Sequence, residues 1–206
     1  MSVSRTQDDQ QVHAARMRKL QAAHNRIVAA KTVEKGLVMV HTGTGKGKTT
    51  AALGLAIRAM GHGQRVGIVQ FIKGAMSTGE KAIFDAFPHS VEFKPMGEGF
   101  TWDTQDRARD IAVTRTAWEE VRRMITDPAY DMVIADELNI VLRYDYLPVD
   151  EVLDALARRP AMKHVVITGR NAPQALIDAA DLVTEMTLVK HPFREQGVKA
   201  QAGIEF

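Results

Sequence analysis

The chain has 206 residues, 45% hydrophobic and 25% charged, with a net charge of +2, the profile of one globular domain large enough to bury a core. It contains no cysteine, which excludes disulfides, thiolate zinc sites, Cys-ligated iron–sulfur clusters and cysteine nucleophiles. The near-neutral balance gives no global argument for nucleic acid, and no apolar run approaches the length needed to span a bilayer.

Residues 1–10 are polar, lack the apolar stretch of a signal peptide and read as disordered, in a chain expected in the cytoplasm. Residues 11–31 hold neither Gly nor Pro and read as a helix. Val12, Ala15, Leu20, Ala23, Ile27 and Ala30 make a thin apolar stripe among His13, Arg16, Arg18, Lys19, His24 and Arg26. Such a helix is either solvated or a basic flap over an anionic ligand or a partner subunit. Residues 1–35 thus stand apart from a domain spanning 36–206.

The apolar run Leu37-Val38-Met39-Val40 then leads into Thr42-Gly43-Thr44-Gly45-Lys46-Gly47-Lys48-Thr49-Thr50, and a helical run, 48–61, follows. Strand, glycine loop and helix in that order make a P-loop. Its backbone N–H groups turn inward around phosphate oxygens, and the helix N-terminus adds partial positive charge. Lys48 is expected to reach the phosphates, and the Thr49 hydroxyl to bind Mg²⁺. The usual first glycine of the pattern is Thr42 here, and Lys46 is an added charge. Arg58, ten residues beyond Lys48, is either a surface residue or a further phosphate contact.

Further strands are expected at 65–71, 91–94, 131–136, 163–168 and 182–188, and helices at 78–86, 104–126, 149–158 and 172–180. Near-continuous Val/Ile runs suit strands buried on both faces of a parallel sheet, and their alternation with helices predicts an α/β doubly wound, P-loop (RecA-like) domain. Ligands of such sheets sit at the C-terminal strand ends. In the loop after residue 71, Lys73 would face the cleft, while Thr78 could cap the next helix. In Met96-Gly97-Glu98-Gly99-Phe100-Thr101-Trp102-Asp103-Thr104, two large aromatics sit in a Gly-flanked loop. They either fold back on the core or form a platform for a flat ligand. Asp103 and Thr104 read as the start of the following helix. Asp136-Glu137 ends an apolar strand, the position of a metal-binding carboxylate; the competing reading is a helix cap. Either carboxylate can touch the ion. Thr168-Gly169-Arg170-Asn171 is another candidate ligand loop, and the tail 189–206 reads as extended.

In these residues the chain resembles the ATP:corrinoid adenosyltransferases of the CobA/CobO/BtuR type. The likeness runs through T-G-T-G-K-G-K-T-T-A-A, Arg58-Ala59-Met60-Gly61-His62-Gly63, Val69-Gln70-Phe71-Ile72-Lys73-Gly74, Gly99-Phe100-Thr101-Trp102-Asp103-Thr104-Gln105, Asp136-Glu137-Leu138, Ile167-Thr168-Gly169-Arg170, Val189-Lys190-His191-Pro192-Phe193 and the ending. It implies transfer of the 5′-deoxyadenosyl group of ATP to corrinoid cobalt(I), with intact triphosphate leaving. It implies ATP held by Thr42, Gly43, Thr44, Gly45, Lys46, Gly47, Lys48, Thr49, Thr50, Arg58 and Lys73, with Mg²⁺ or Mn²⁺ at Thr49, Asp136 and Glu137. It implies Lys48, Phe100 and Trp102 as the catalytic set, the two aromatics lying beneath the corrin and displacing its lower axial ligand. It also implies a homodimer in which the N-terminal helix covers the corrinoid, and a reduced flavoprotein as electron donor. Thr44 stands where a familiar member has Asn, and Asn139 and Ile140 where Thr and Tyr are familiar. The competing readings are a P-loop ATPase or kinase, which leaves Phe100 and Trp102 unexplained, and a nucleotide-dependent binding module on nucleic acid, which the charge balance disfavours.

Overall fold

In the computed structural model the Val/Ile runs pair into one six-stranded sheet, parallel throughout, in the order β3-β2-β4-β5-β1-β6. The strands are β1 (Val38–Thr42), β2 (Val66–Gln70), β3 (Val91–Pro95), β4 (Met132–Asp136), β5 (His164–Thr168) and β6 (Leu182–Glu185). The structure describes residues 3–72, 79–97 and 106–205. They fall into two compact units, Met1–Glu34 and Lys35–Phe206.

The first unit is the helix α1 (Val3–Ala29). The stretch expected to be disordered is helical from Val3, because no Gly or Pro interrupts its sequence. From residue 9 onward its side chains are exposed, Val12, Leu20 and Ile27 among them.

In the second unit β1, β2 and β4 are buried at all five positions, as strands covered on both faces must be. Alternate residues feed two cores. Met39, Ile68, Ile134 and Val166 pack with Ala52, Leu53, Ala56 and Ala59 of α2 (Lys48–Gly61) and Phe84 of α3 (Gly79–Asp85). Val40, Val69, Val133, Ala135 and Ile167 pack on the opposite face with Ala117, Trp118, Val121 and Ile125 of α4 (Arg107–Thr126). Ala52, Ala56 and Ala59, three of the four alanines of α2, are buried in this packing. The register aligns the strand ends that matter: Gln70 lies opposite Asp136, and His41 opposite Thr168.

Three further differences from expectation bear on the segments around the site. α4 starts at Arg107 because the Asp106 carboxylate accepts from the Arg109 N–H at 3.1 Å; Asp103 and Thr104 lie outside the described residues. A short helix α5 (Leu138–Arg143) follows the acidic pair directly. Beyond α6 (Val149–Ala157) and α7 (Gln174–Ala179), the tail is not wholly extended. It contains α8 (Pro192–Gln196), with Pro at its start, the His191 ring accepting from Phe193 N–H at 3.2 Å, and Gly197 in the left-handed region ending it.

Candidate functional site

The strand order sets the site. β1, which carries the glycine loop, is separated from β4, which carries the acidic pair, by β5. Thr168 at the end of β5 is therefore wedged between them. Its hydroxyl donates to Asp136 Oδ1 at 2.6 Å and accepts from the Glu137 backbone N–H at 2.9 Å. Thr49, in the first turn of α2, donates to the same Oδ1 at 2.8 Å. Gln70, at the end of β2, donates through Nε2 to Asp136 Oδ2 at 2.9 Å. The Asp136 carboxylate is wholly buried, and these three donors compensate its desolvation.

The helix-cap reading of the acidic pair does not hold for Asp136, whose side chain points into this network. Glu137 does occupy the N-cap position of α5, with φ 64°, but makes no side-chain cap hydrogen bond. Its charge instead acts on Lys48.

The loop itself is pinned from behind. Met186, just past β6, donates its N–H to Thr42 O at 2.9 Å and accepts from the Gly45 N–H at 2.6 Å. Gly43 has φ 93°, and a Cβ there would lie 2.5 Å from Met186 O, so both conformation and space demand glycine. Lys48 is buried, its ammonium donating to Gly43 O at 3.0 Å and Gly45 O at 2.5 Å. Burial pushes its pKa down from the usual lysine range; the Glu137 and Asp136 carboxylates oppose the shift, and Arg170 and Lys46 add to it. Lys46 is half-exposed and ion-paired with Glu205. Thr44 and Thr50 are exposed.

Arg58 does not join this group. It is exposed in the last turn of α2, about 15 Å along the helix axis from Lys48 at 1.5 Å per residue. Lys73, Phe100 and Trp102 lie outside the described residues. The segment holding the two aromatics leaves from Met96 and Gly97, whose N–H groups donate to Gln70 O at 3.0 and 3.1 Å. The residue whose side chain holds Asp136 thus also anchors that segment's start.

Sequence reasoning placed Thr168 in a candidate ligand loop without its bond to Asp136, and missed Gln70 and Asn139 as parts of the site. A signal existed for Gln70: β2, β4 and β5 each end an apolar run on a polar residue, Gln70, Asp136 and Thr168. Asn139 is fully buried and donates through Nδ2 to Gly169 O at 3.1 Å.

Hard oxygen donors and a buried lysine at the C-terminal edge of a parallel sheet suit a polyphosphate with a divalent cation. No group of three or more His, Cys, Asp or Glu able to hold a metal exists among the described residues. A cation here would therefore be completed by phosphate oxygens and the Thr49 hydroxyl, which donates its proton to Asp136 and so keeps its lone pairs for accepting. No described helix is long and apolar enough to cross a membrane.

The family described as ATP:corrinoid adenosyltransferase BtuR/CobO/CobP matches residues 34–206. A corrinoid adenosyltransferase of Pseudomonas aeruginosa is 52% identical over 95% of this chain and 96% of that protein. One from Sinorhizobium sp is 54% identical over 94% and 91%. The corrinoid adenosyltransferase CobA of Salmonella typhimurium is 50% identical over 87% and 90%.

Proposed function

The chain belongs to the ATP:corrinoid adenosyltransferase family, an enzyme that moves the 5′-deoxyadenosyl group of ATP to corrinoid cobalt(I) and releases triphosphate, and on that premise we propose how its residues divide the work. The observation that carries the division is the Thr49–Asp136–Thr168 hydrogen-bond chain beside buried Lys48. It makes a rigid, water-poor cradle for the part of ATP that departs.

Cobalt(I) gives an electron pair to C5′, the C5′–O bond breaks, and its electrons leave on the triphosphate. Negative charge therefore grows on the oxygen next to the α-phosphorus, and fixed positive charge nearby lowers the barrier. Lys48 supplies it from inside the loop, and the N–H groups of residues 43–50 add partial charge. Lys46 is the second cation, exchanging Glu205 for phosphate. Thr42, Gly43, Thr44, Gly45, Gly47 and Thr50 complete the loop. Lys73 is proposed as a further contact, whereas the distance of Arg58 from Lys48 favours its surface role.

Mg²⁺, or Mn²⁺, would be held by Thr49 and the Asp136–Glu137 pair, and when bound neutralises charge on the triphosphate. Asp136 orients the Thr49 oxygen, and Glu137 faces the Lys48 side of the site. Phe100 and Trp102 are proposed to lie beneath the corrin, since aromatic faces suit an extended ring; the family resemblance supports that role. A homodimer, a reduced flavoprotein donor and a cytoplasmic setting belong to the same reading. The exposed apolar stripe of α1 supports a partner subunit. The absence of cysteine supports an external electron source.

The test is spectroscopic. Purified protein, ATP, Mg²⁺ and chemically reduced corrinoid should yield a Co–C product whose absorbance collapses on illumination. No light-sensitive product under these conditions would overturn the assignment.

A further inference from the structure

The loop after β5 is fixed at each of its edges. Thr168 is bonded to Asp136 and to the Glu137 N–H. The Gly169 N–H donates to His41 O at 3.2 Å, and Gly169 O accepts from Asn139 Nδ2 at 3.1 Å. The Ala172 N–H donates to Thr42 Oγ1 at 3.1 Å. Between these pins the chain bends through Gly169, at φ 126°, and Asn171, at φ 56°. A Cβ on Gly169 would lie 2.9 Å from the Asn139 Cβ, so Asn139 and Gly169 are in direct contact.

What this bend presents is Arg170. Its side chain is exposed and has no hydrogen bond or ion pair among the described residues. It is nevertheless near enough for its charge to act on Lys48. An unpaired arginine close to a buried lysine raises local repulsion, an arrangement that makes sense where both cations serve one anion.

Asn139 carries a second oddity. Its Oδ1 is buried with no hydrogen-bond partner, while Nδ2 is committed to Gly169 O. A half-satisfied buried amide is a poor choice for stability, since an apolar residue of like volume would avoid the orphaned oxygen. Retaining it favours a role in geometry.

We infer that Asn139 is a positioning residue that holds the Gly169–Asn171 bend, so that the Arg170 guanidinium grips the leaving triphosphate opposite Lys48. The inference rests on the triphosphate reading of the P-loop. Arg170 is the binding group, able to offer two parallel N–H donors to phosphate oxygens. Asn139 acts only through it.

The experiment measures inorganic tripolyphosphate, with Mg²⁺, binding to the full-length protein by calorimetry, alongside melting temperature. Arg170→Ala is expected to weaken binding about tenfold. Asn139→Leu keeps the branching and the number of side-chain heavy atoms and removes both the donor and the orphaned oxygen. It should weaken binding about as much, without lowering the melting temperature. The double variant should bind no worse than Arg170→Ala alone. Should leucine prevent folding, Asn139→Ala is read the same way against Arg170→Ala. Wild-type binding in either single variant, or additive losses in the double variant, overturns the inference. Failure of the wild-type protein to bind tripolyphosphate, or full binding by Lys48→Ala, would instead overturn the P-loop reading beneath it.

Discussion

Lys48→Ala should lower kcat/KM for ATP by about 10³, equivalent to about 4 kcal/mol of transition-state stabilisation. The size follows from its setting. Lys48 is buried and donates to two loop carbonyls, Gly43 O and Gly45 O, so no other cation can move into its place without rebuilding the loop. Lys46 is half-exposed on the outer side, with Glu205 as partner, and cannot substitute. The same lysine predicts a pH effect in the wild-type enzyme. Burial lowers its pKa from the usual lysine value, and the phosphate site needs the protonated form. Affinity for ATP is therefore full below the lowered pKa and falls as pH rises through it. Steady-state kinetics checks both statements. Retained turnover in the alanine variant, or an alkaline limb unchanged between wild type and variant, would remove Lys48 from the mechanism.

Asp136→Ala should be damaging twice over. It removes the acceptor shared by Thr49, Thr168 and Gln70 and leaves their donors facing a hole in a buried layer. Unsatisfied buried donors cost about 1–3 kcal/mol each where they cannot relax, so a total loss of about 3 kcal/mol is expected in urea unfolding. Activity should fall by about 10³ as well, because Thr49 loses its orientation and the proposed metal site its carboxylate. Thr168→Val, which removes one donor and leaves Asp136 its bonds from Thr49 and Gln70, should cost less of both. Equal stability in Asp136→Ala and wild type would show that the network is not what holds these three strand ends together.

The phosphate loop and the parallel sheet were legible because their signals are local. Gly and Lys spacing between an apolar run and an alanine-rich helix is readable over twenty residues, and buried strands announce themselves by unbroken Val and Ile. The expected strand positions agree with the observed ones to within a few residues, the usual fraying of boundaries. Asp136 was legible as the end of a strand, but its partners were not. Thr168 and Gln70 meet it only because β5 and β2 flank β4, and strand order is a property of the whole chain. Asn139 drew notice only as a departure from a familiar family member, since its bond to Gly169 O joins two segments 30 residues apart. The caps failed for a different reason. Asp103, Thr104 and Asp106 all offer cap chemistry before one helix, and which of them fits depends on the preceding backbone. Arg58 stayed open between a surface role and a phosphate contact, because a linear offset from Lys48 does not by itself give the rise of the helix between them.

In the proposed reaction the P-loop grips a triphosphate that leaves whole, with bond breaking at C5′ rather than at a phosphorus. Phosphorus NMR of a single turnover with ATP, Mg²⁺ and chemically reduced corrinoid reads this directly. The account predicts inorganic triphosphate in a one-to-one ratio with the adenosylated corrinoid, and no ADP. ADP and inorganic phosphate appearing in step with corrinoid consumption would contradict it.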